Sequence, residues 1–315
     1  MRKLWIFLLI ATFALPACKS NGATPDDQAQ ADEPAEETEQ TEQTEQTEQT
    51  QESEEEQPVT DRMADEHAGE SPTPTEAALG EPAQPVETET VQYFEMGDTQ
   101  IEGYMARPAD ADGELPAVLL IHEWWGVNEN IRSMARQLAG EGYLAFAVDL
   151  YDGRSAEDPE QARQLMSAVM KNKKRALANL SAARQHLENE YDATSMGLLG
   201  WCFGGAWALR GAINMGDNID AAVIYYGEPI TDSSQLADIE APVLGHFGEE
   251  DEGIDAEKAR EMESGLEELG KQASFHYYAD AGHAFANPSG ERYEEDAAKT
   301  SWQRTLDFFE EHLKS

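Results

Sequence analysis

Chemistry in this chain gathers first at Gly200-Trp201-Cys202-Phe203-Gly204-Gly205. The apolar run Met196 to Leu199 leads into it, and the helix-like Ala206-Trp207-Ala208-Leu209-Arg210 follows. A strand, a tight G-x-C-x-G turn and a helix in that order present a nucleophile at the start of a helix. The flanking glycines leave room for strand and helix to pass close to each other. The helix start offers free N–H groups and a dipole that favour a thiolate and an oxyanion. The same residues would also suit a buried cysteine beside a glycine-rich β–α turn.

Two more groups stand where such a nucleophile needs them. Asp251 lies in Phe247-Gly248-Glu249-Glu250-Asp251, and His283 lies in Ala281-Gly282-His283-Ala284-Phe285. Each follows an apolar, strand-like run. The chain order is therefore nucleophile, acid, histidine. His283 would remove the thiol proton and later protonate the leaving group, with Asp251 fixing its tautomer. Glu250 could replace Asp251 in that role, and taken singly each group could be a solvated loop residue. His122-Glu123-Trp124-Trp125-Gly126 closes another strand. The backbone N–H groups of Trp124 and Phe203 are the expected donors to an oxyanion. No second His or carboxylate stands at ligand-like spacing near His122 and Glu123, so no metal is expected.

The elements that must position these residues alternate in the α/β manner. Strands are predicted at 101–106, 117–122, 143–149, 196–200, 221–226, 243–247 and 274–278. Helices are predicted at 129–138, 159–190, 206–214, 255–269 and 292–313. Continuous apolar runs such as Ala117-Val118-Leu119-Leu120-Ile121 suit parallel strands buried on both faces. The expected fold is a mostly parallel α/β sheet of about seven or eight strands with helices on both faces, and such sheets gather chemistry at the carboxyl ends of their strands.

Length and charge frame the rest. The chain has 315 residues, 2 Cys and a formal net charge of −41. Two cysteines exclude a disulfide framework, and the acidity argues against nucleic acid or an anionic membrane surface as partner. Arg2 and Lys3 precede an apolar run, Leu4 to Leu15, too short for an ordinary transmembrane helix. Leu15-Pro16-Ala17-Cys18 resembles the lipobox of bacterial lipoproteins. That resemblance implies a signal peptide over 1–17, lipid on Cys18, and a bacterial cell-envelope location on the periplasmic or outer-membrane side. Residues 18–90, with the Thr-Glu-Gln repeat of 38–49 and the run Glu54-Glu55-Glu56, have little to bury. They read as a disordered acidic tether whose removal leaves catalysis unchanged. From 91 to 315, Asp and Glu number 41 against 18 Lys and Arg, a balance near −23 that suggests a high-salt habitat.

The motifs at 122–128, 148–151 (Val148-Asp149-Leu150-Tyr151), 200–205, 248–251 and 282–285 together resemble the dienelactone hydrolase family. The match spans 91–315. It implies an α/β-hydrolase fold, no cofactor, and a Cys-His-Asp triad that opens lactones through an acyl-enzyme. Carried over, Cys202, His283 and Asp251 form the triad, and Glu123 is the glutamate that influences the thiol. The family binds a substrate carboxylate with arginines, one of them four residues beyond the catalytic His. Here that position is Asn287, while Arg154 in Tyr151-Asp152-Gly153-Arg154 matches the other with a slightly different spacing. An amide in place of a bidentate cation weakens selection for anionic lactones. Trp125, with Trp124, Trp201, Phe203 and Phe285, suggests an apolar substrate pocket. The expected partner is a small lactone, ester or thioester. A hydrolase-fold lipoprotein that binds without turnover is the other class.

Overall fold

The computed structural model describes His67 and residues 72–97, 99–111 and 113–314. The expected signal segment over 1–17, the expected lipidation site Cys18 and the Thr-Glu-Gln repeat lie outside the described residues. No helix among the described residues is long and apolar enough to cross a membrane. Eight strands form one sheet in the order β1-β2-β4-β3-β5-β6-β7-β8. They are β1 (Val86–Met96), β2 (Thr99–Pro108), β3 (Ala117–Ile121), β4 (Leu144–Val148), β5 (Met196–Trp201), β6 (Ala221–Tyr225), β7 (Val243–Gly248) and β8 (Ala273–Tyr278). β1, β2 and β4 pair antiparallel, and every pairing from β4 through β3 to β8 is parallel.

Among the described residues the α-helices are α1 (Glu129–Gly140), α2 (Pro159–Lys171), α3 (Lys173–Tyr191), α4 (Phe203–Met215), α5 (Ser233–Leu236), α6 (Ala256–Glu268) and α7 (Glu295–Leu313). The central strands β3, β4, β5, β6 and β7 are buried along their whole length. Apolar side chains such as those of β3 therefore contribute about 1.5–3 kcal/mol apiece to holding the layers together.

Three elements differ from expectation for local physical reasons. The predicted helix over 159–190 is two helices, because Asn172 leaves helical geometry (φ −130°, ψ 58°) and its side chain accepts from the Arg175 N–H as a fresh N-cap. β1 begins at Val86, inside the stretch expected to be tether. Its Val-Glu-Thr-Glu-Thr start is largely exposed and gives no apolar signal. The tether is corrected further by His67, which is buried, and by Thr75, which bonds Ser289 and Pro288. Helix α5, four residues long, was not predicted.

The topology explains where the site is. From β3 the chain steps to β4 on one side and later to β5 on the other, so the strand order reverses between β3 and β5. Ligands in open α/β sheets bind at such a reversal, beyond the carboxyl ends of the strands. Ile121 pairs with Gly200 and Tyr225 with Trp201. The loop that begins at His122 therefore lies beside the turn that carries Cys202. The loops after β7 and β8 reach the same edge.

Candidate active site

Cys202 sits between β5 and α4 with φ 55° and ψ −118°. A non-glycine residue there is strained, and such strain is typical of residues held for function. The surroundings enforce it. The Cys202 N–H donates to Tyr225 O (3.0 Å) and Cys202 O accepts from Ala206 N (3.1 Å). A Cβ at Gly200 would lie 2.1 Å from Gly204 O, and one at Gly204 would lie 2.0 Å from Ile121 O. Only glycine lets strand and helix approach this closely, which is the reason the hexapeptide reads as it does.

His283 comes to the nucleophile from the loop after β8. Its Nε2 lies 3.2 Å from Cys202 Sγ, and its Nδ1 lies 2.8 Å from Asp251 Oδ2. The other Asp251 oxygen accepts from the N–H groups of Gly253 (2.9 Å) and Ile254 (2.7 Å). The carboxylate is thus fixed by the backbone, and only one oxygen is left for the imidazole. Both side chains are buried. Burial works against a charge on His283, but Asp251, with Cys202 adding, outweighs it and holds the imidazole well above its ordinary range. Burial pushes the Cys202 thiol up; His283 and the Phe203 N–H oppose this, and Glu123 adds to it.

The loop after β3 is clamped from beneath. His122 Nε2 accepts from the Leu150 N–H (3.2 Å), so Nδ1 carries the proton and donates to Glu123 O (2.6 Å). Burial keeps that imidazole neutral, with its pKa lowered to about 4. Glu123 O also accepts from Gly126 N (3.3 Å). In a trans peptide the following N–H points the opposite way, which turns the Trp124 N–H away from this clamp. The Tyr151 hydroxyl donates to Trp124 O (3.0 Å) and holds the next peptide. The Phe203 N–H reaches the Cys202 sulfur. Glu123 is buried and accepts from Asn287 Nδ2 (3.0 Å).

The remaining expected site residues fall in different places. Trp125 is buried against Trp124, with ring centroids 4.9 Å apart. Asn287 and Glu123 line a small cavity with Trp201, Tyr226 and Ala78. Arg154 is turned elsewhere: its Nε donates to Tyr151 O (3.0 Å), and it lines two cavities that include neither Cys202 nor His283.

Two residues at the site were missed by sequence reasoning. Tyr226 follows β6 with φ 36° and packs edge-on to His283 at 5.2 Å. Among the described residues its buried hydroxyl has no hydrogen-bond partner. Its place at the carboxyl end of a strand was the available signal. His67 had none, lying in an acidic stretch far from every motif. Its ring lies tilted against Trp124 (4.6 Å) and meets His283 edge-on (5.5 Å).

His67, Cys202 and His283 each offer a donor atom, all within 4.8 Å of one another. Thiolate with imidazoles would suit a borderline or soft cation. Arg292 Nη2, however, lies 3.1 Å from His67 Nδ1. A guanidinium can only donate, so Nδ1 accepts and the proton of neutral His67 is on Nε2. Neither nitrogen offers a lone pair to a metal in this arrangement, and the chemistry proposed below uses none.

Comparison with known proteins places the chain in a family. The dienelactone hydrolase family model matches residues 101–313. A Salmonella typhimurium protein provisionally named a carboxymethylenebutenolidase is 36% identical over 226 residues, covering 66% of this chain and 82% of that one. Protein usf of Aquifex pyrophilus is 30% identical over 227 residues, covering 70% and 97%. Among solved structures, a Klebsiella pneumoniae protein provisionally named a dienelactone hydrolase superimposes with a TM-score of 0.65 at 30% identity, covering 72% of this chain and 99% of that one. The chain belongs to the dienelactone hydrolase family.

Proposed function

We propose that this member of the family cleaves a lactone, ester or thioester through Cys202, His283 and Asp251. The observation that carries the reading is the unbroken line from Asp251 Oδ2 to His283 Nδ1 and from His283 Nε2 to Cys202 Sγ, at 2.8 and 3.2 Å. Once the coupled Cys202–His283 pair holds a single proton between the two groups, His283 Nε2 takes it from the thiol as Sγ attacks the carbonyl carbon. The carbonyl oxygen becomes an oxyanion facing the N–H groups of Phe203 and Trp124. As the carbon–oxygen or carbon–sulfur bond breaks, the imidazolium returns its proton to the leaving atom. In a lactone the leaving alcohol stays attached to the acyl group. Water then gives its proton to His283 and attacks the thioester, which releases the carboxylic acid and restores the thiol. No cofactor enters these steps.

Burial keeps the resting thiol protonated, and the negative charge of Glu123 adds to this by disfavouring a thiolate beside it. An idle nucleophile in an oxidising compartment is thereby protected. With Asn287 bonded to Glu123 and Arg154 turned away, neither position expected to hold a substrate carboxylate supplies a cation, and neutral esters and lactones are the preferred class. The lipobox-like Leu15-Pro16-Ala17-Cys18 and the acidic stretch behind it support an envelope-anchored enzyme. The test is hydrolysis of dienelactone, neutral lactones and short esters by the protein beside its His283→Ala variant. Turnover that disappears in the variant is expected. Turnover on no member, or equal turnover in both, overturns the proposal.

A further inference from the structure

The space in front of Cys202 is already filled by the protein. An attacked carbonyl carbon must come within about 3–3.5 Å of the nucleophile, with its substituents extending outward. One ring nitrogen of His67 lies within 4.8 Å of both the Cys202 sulfur and the ligating nitrogen of His283. The ring rests on Trp124, the expected oxyanion residue, at 4.6 Å. Cys202, His283 and His67 are all at most 3% exposed. The neighbouring cavity, lined by Glu123, Tyr226 and Asn287, has a volume of about 30 Å³, room for one or two waters. Neither place admits an acyl group.

The filling group is held by built contacts. Arg292 ties His67 to the catalytic loop, because its Nη2 donates to His67 Nδ1 (3.1 Å) and its Nε donates to His283 O (3.0 Å). Thr75 is clipped to the loop beyond His283: its Oγ1 donates to Pro288 O (2.8 Å) and its N–H donates to Ser289 Oγ (3.1 Å). Ala78, buried, closes one wall of the small cavity. Gln84 Nε2 then donates to Gly140 O (2.9 Å) as the chain reaches β1.

We propose that His67, together with the described residues 72–84, forms a self-occluding strap, with the His67 imidazole standing in the substrate's place over Cys202. Resting on the assignment of Cys202 as the nucleophile, the inference makes the strap a determinant of access. Substrate must displace His67, so the strap sets both the thiol's reactivity and the size of acyl group admitted. A sequence that reads as a spacer is thereby part of the site.

Alkylation of Cys202 by iodoacetamide tests this without any substrate. The full chain is used, and the Cys202-bearing peptide is quantified by mass spectrometry so that Cys18 does not contribute. His67→Ala should be alkylated at least tenfold faster than the wild type, by the same factor at pH 7 and pH 9. His67→Phe refills the volume without the N–H and should remain slow. A His67→Ala rate equal to or below the wild type overturns the proposal, as does a fast His67→Phe, which would mean the imidazole acts through its proton or that the fold has been lost. If the ester panel shows no turnover while alkylation behaves as expected, the hydrolase reading fails and the strap stands.

Discussion

Asp251→Asn perturbs the site at a single atom. Asp251 Oδ1 accepts from the Gly253 and Ile254 N–H groups at 2.9 and 2.7 Å, and Oδ2 faces His283 Nδ1 at 2.8 Å. An asparagine oxygen keeps the two backbone bonds, which places the amide NH2 against Nδ1. Nδ1 must then accept, the proton moves to Nε2, and the lone pair that should take the thiol proton disappears. The carboxylate that offsets the burial of His283 is also lost, so an imidazolium is no longer stabilised. The corresponding change in a serine triad costs about 10⁴ in turnover, equivalent to about 5 kcal/mol of barrier. A loss of 10³- to 10⁴-fold in kcat on a short neutral ester is expected. The same change leaves a signature in stability. Because the wild-type folded pKa of His283 is raised, its contribution is fully present below the unfolded value, about 6.5, and fades as pH rises through the folded value. The stability gap between wild type and variant should therefore be widest below about pH 6 and narrow on the alkaline side. A variant within tenfold of wild-type turnover refutes the tautomer argument, and a gap that widens with rising pH refutes the assignment of the His283 shift.

Three further outcomes follow from separate features. Gly204→Ala drives a Cβ to 2.0 Å from the backbone Ile121 O; overpacking of about 1–3 kcal/mol should lower Tm by roughly 2–12 °C, and an unchanged melt would contradict the elbow geometry. Glu123→Gln removes the charge that helps hold the thiol protonated, so the pH midpoint of Cys202 alkylation should move down; no movement, or an upward one, contradicts that role. With a balance near −23 over residues 91–315, the unfolding midpoint should rise with salt as self-repulsion is screened, and indifference to salt removes the high-salt reading.

The strands most plainly legible in sequence were those buried on both faces. β3, β4, β5, β6 and β7 announce themselves as short apolar runs because each lies under helices on both sides. β1 did not, because an edge strand with alternating Glu and Thr carries no burial signal. The break at Asn172 was hidden by good helix formers on both sides, since a cap needs only one side chain. Of the expected site residues, Cys202, His283, Asp251 and Glu123 lie together in the structure, and each follows a recognisable strand. Arg154 was placed by spacing along a loop, and a loop does not fix direction: its guanidine group turned to Tyr151 O instead. His67 was illegible in principle, since nothing in a polar segment tells which surface it will cover.

The central claim is that Cys202 is the nucleophile. The most direct measurement is rapid acid quench of the protein during turnover of an activated ester, followed by peptide mass spectrometry. An acyl group on the Cys202 peptide, formed faster than it decays and absent in Cys202→Ala, is the predicted result. Turnover that proceeds with no acyl group on that peptide, or with the label on another residue, would contradict it.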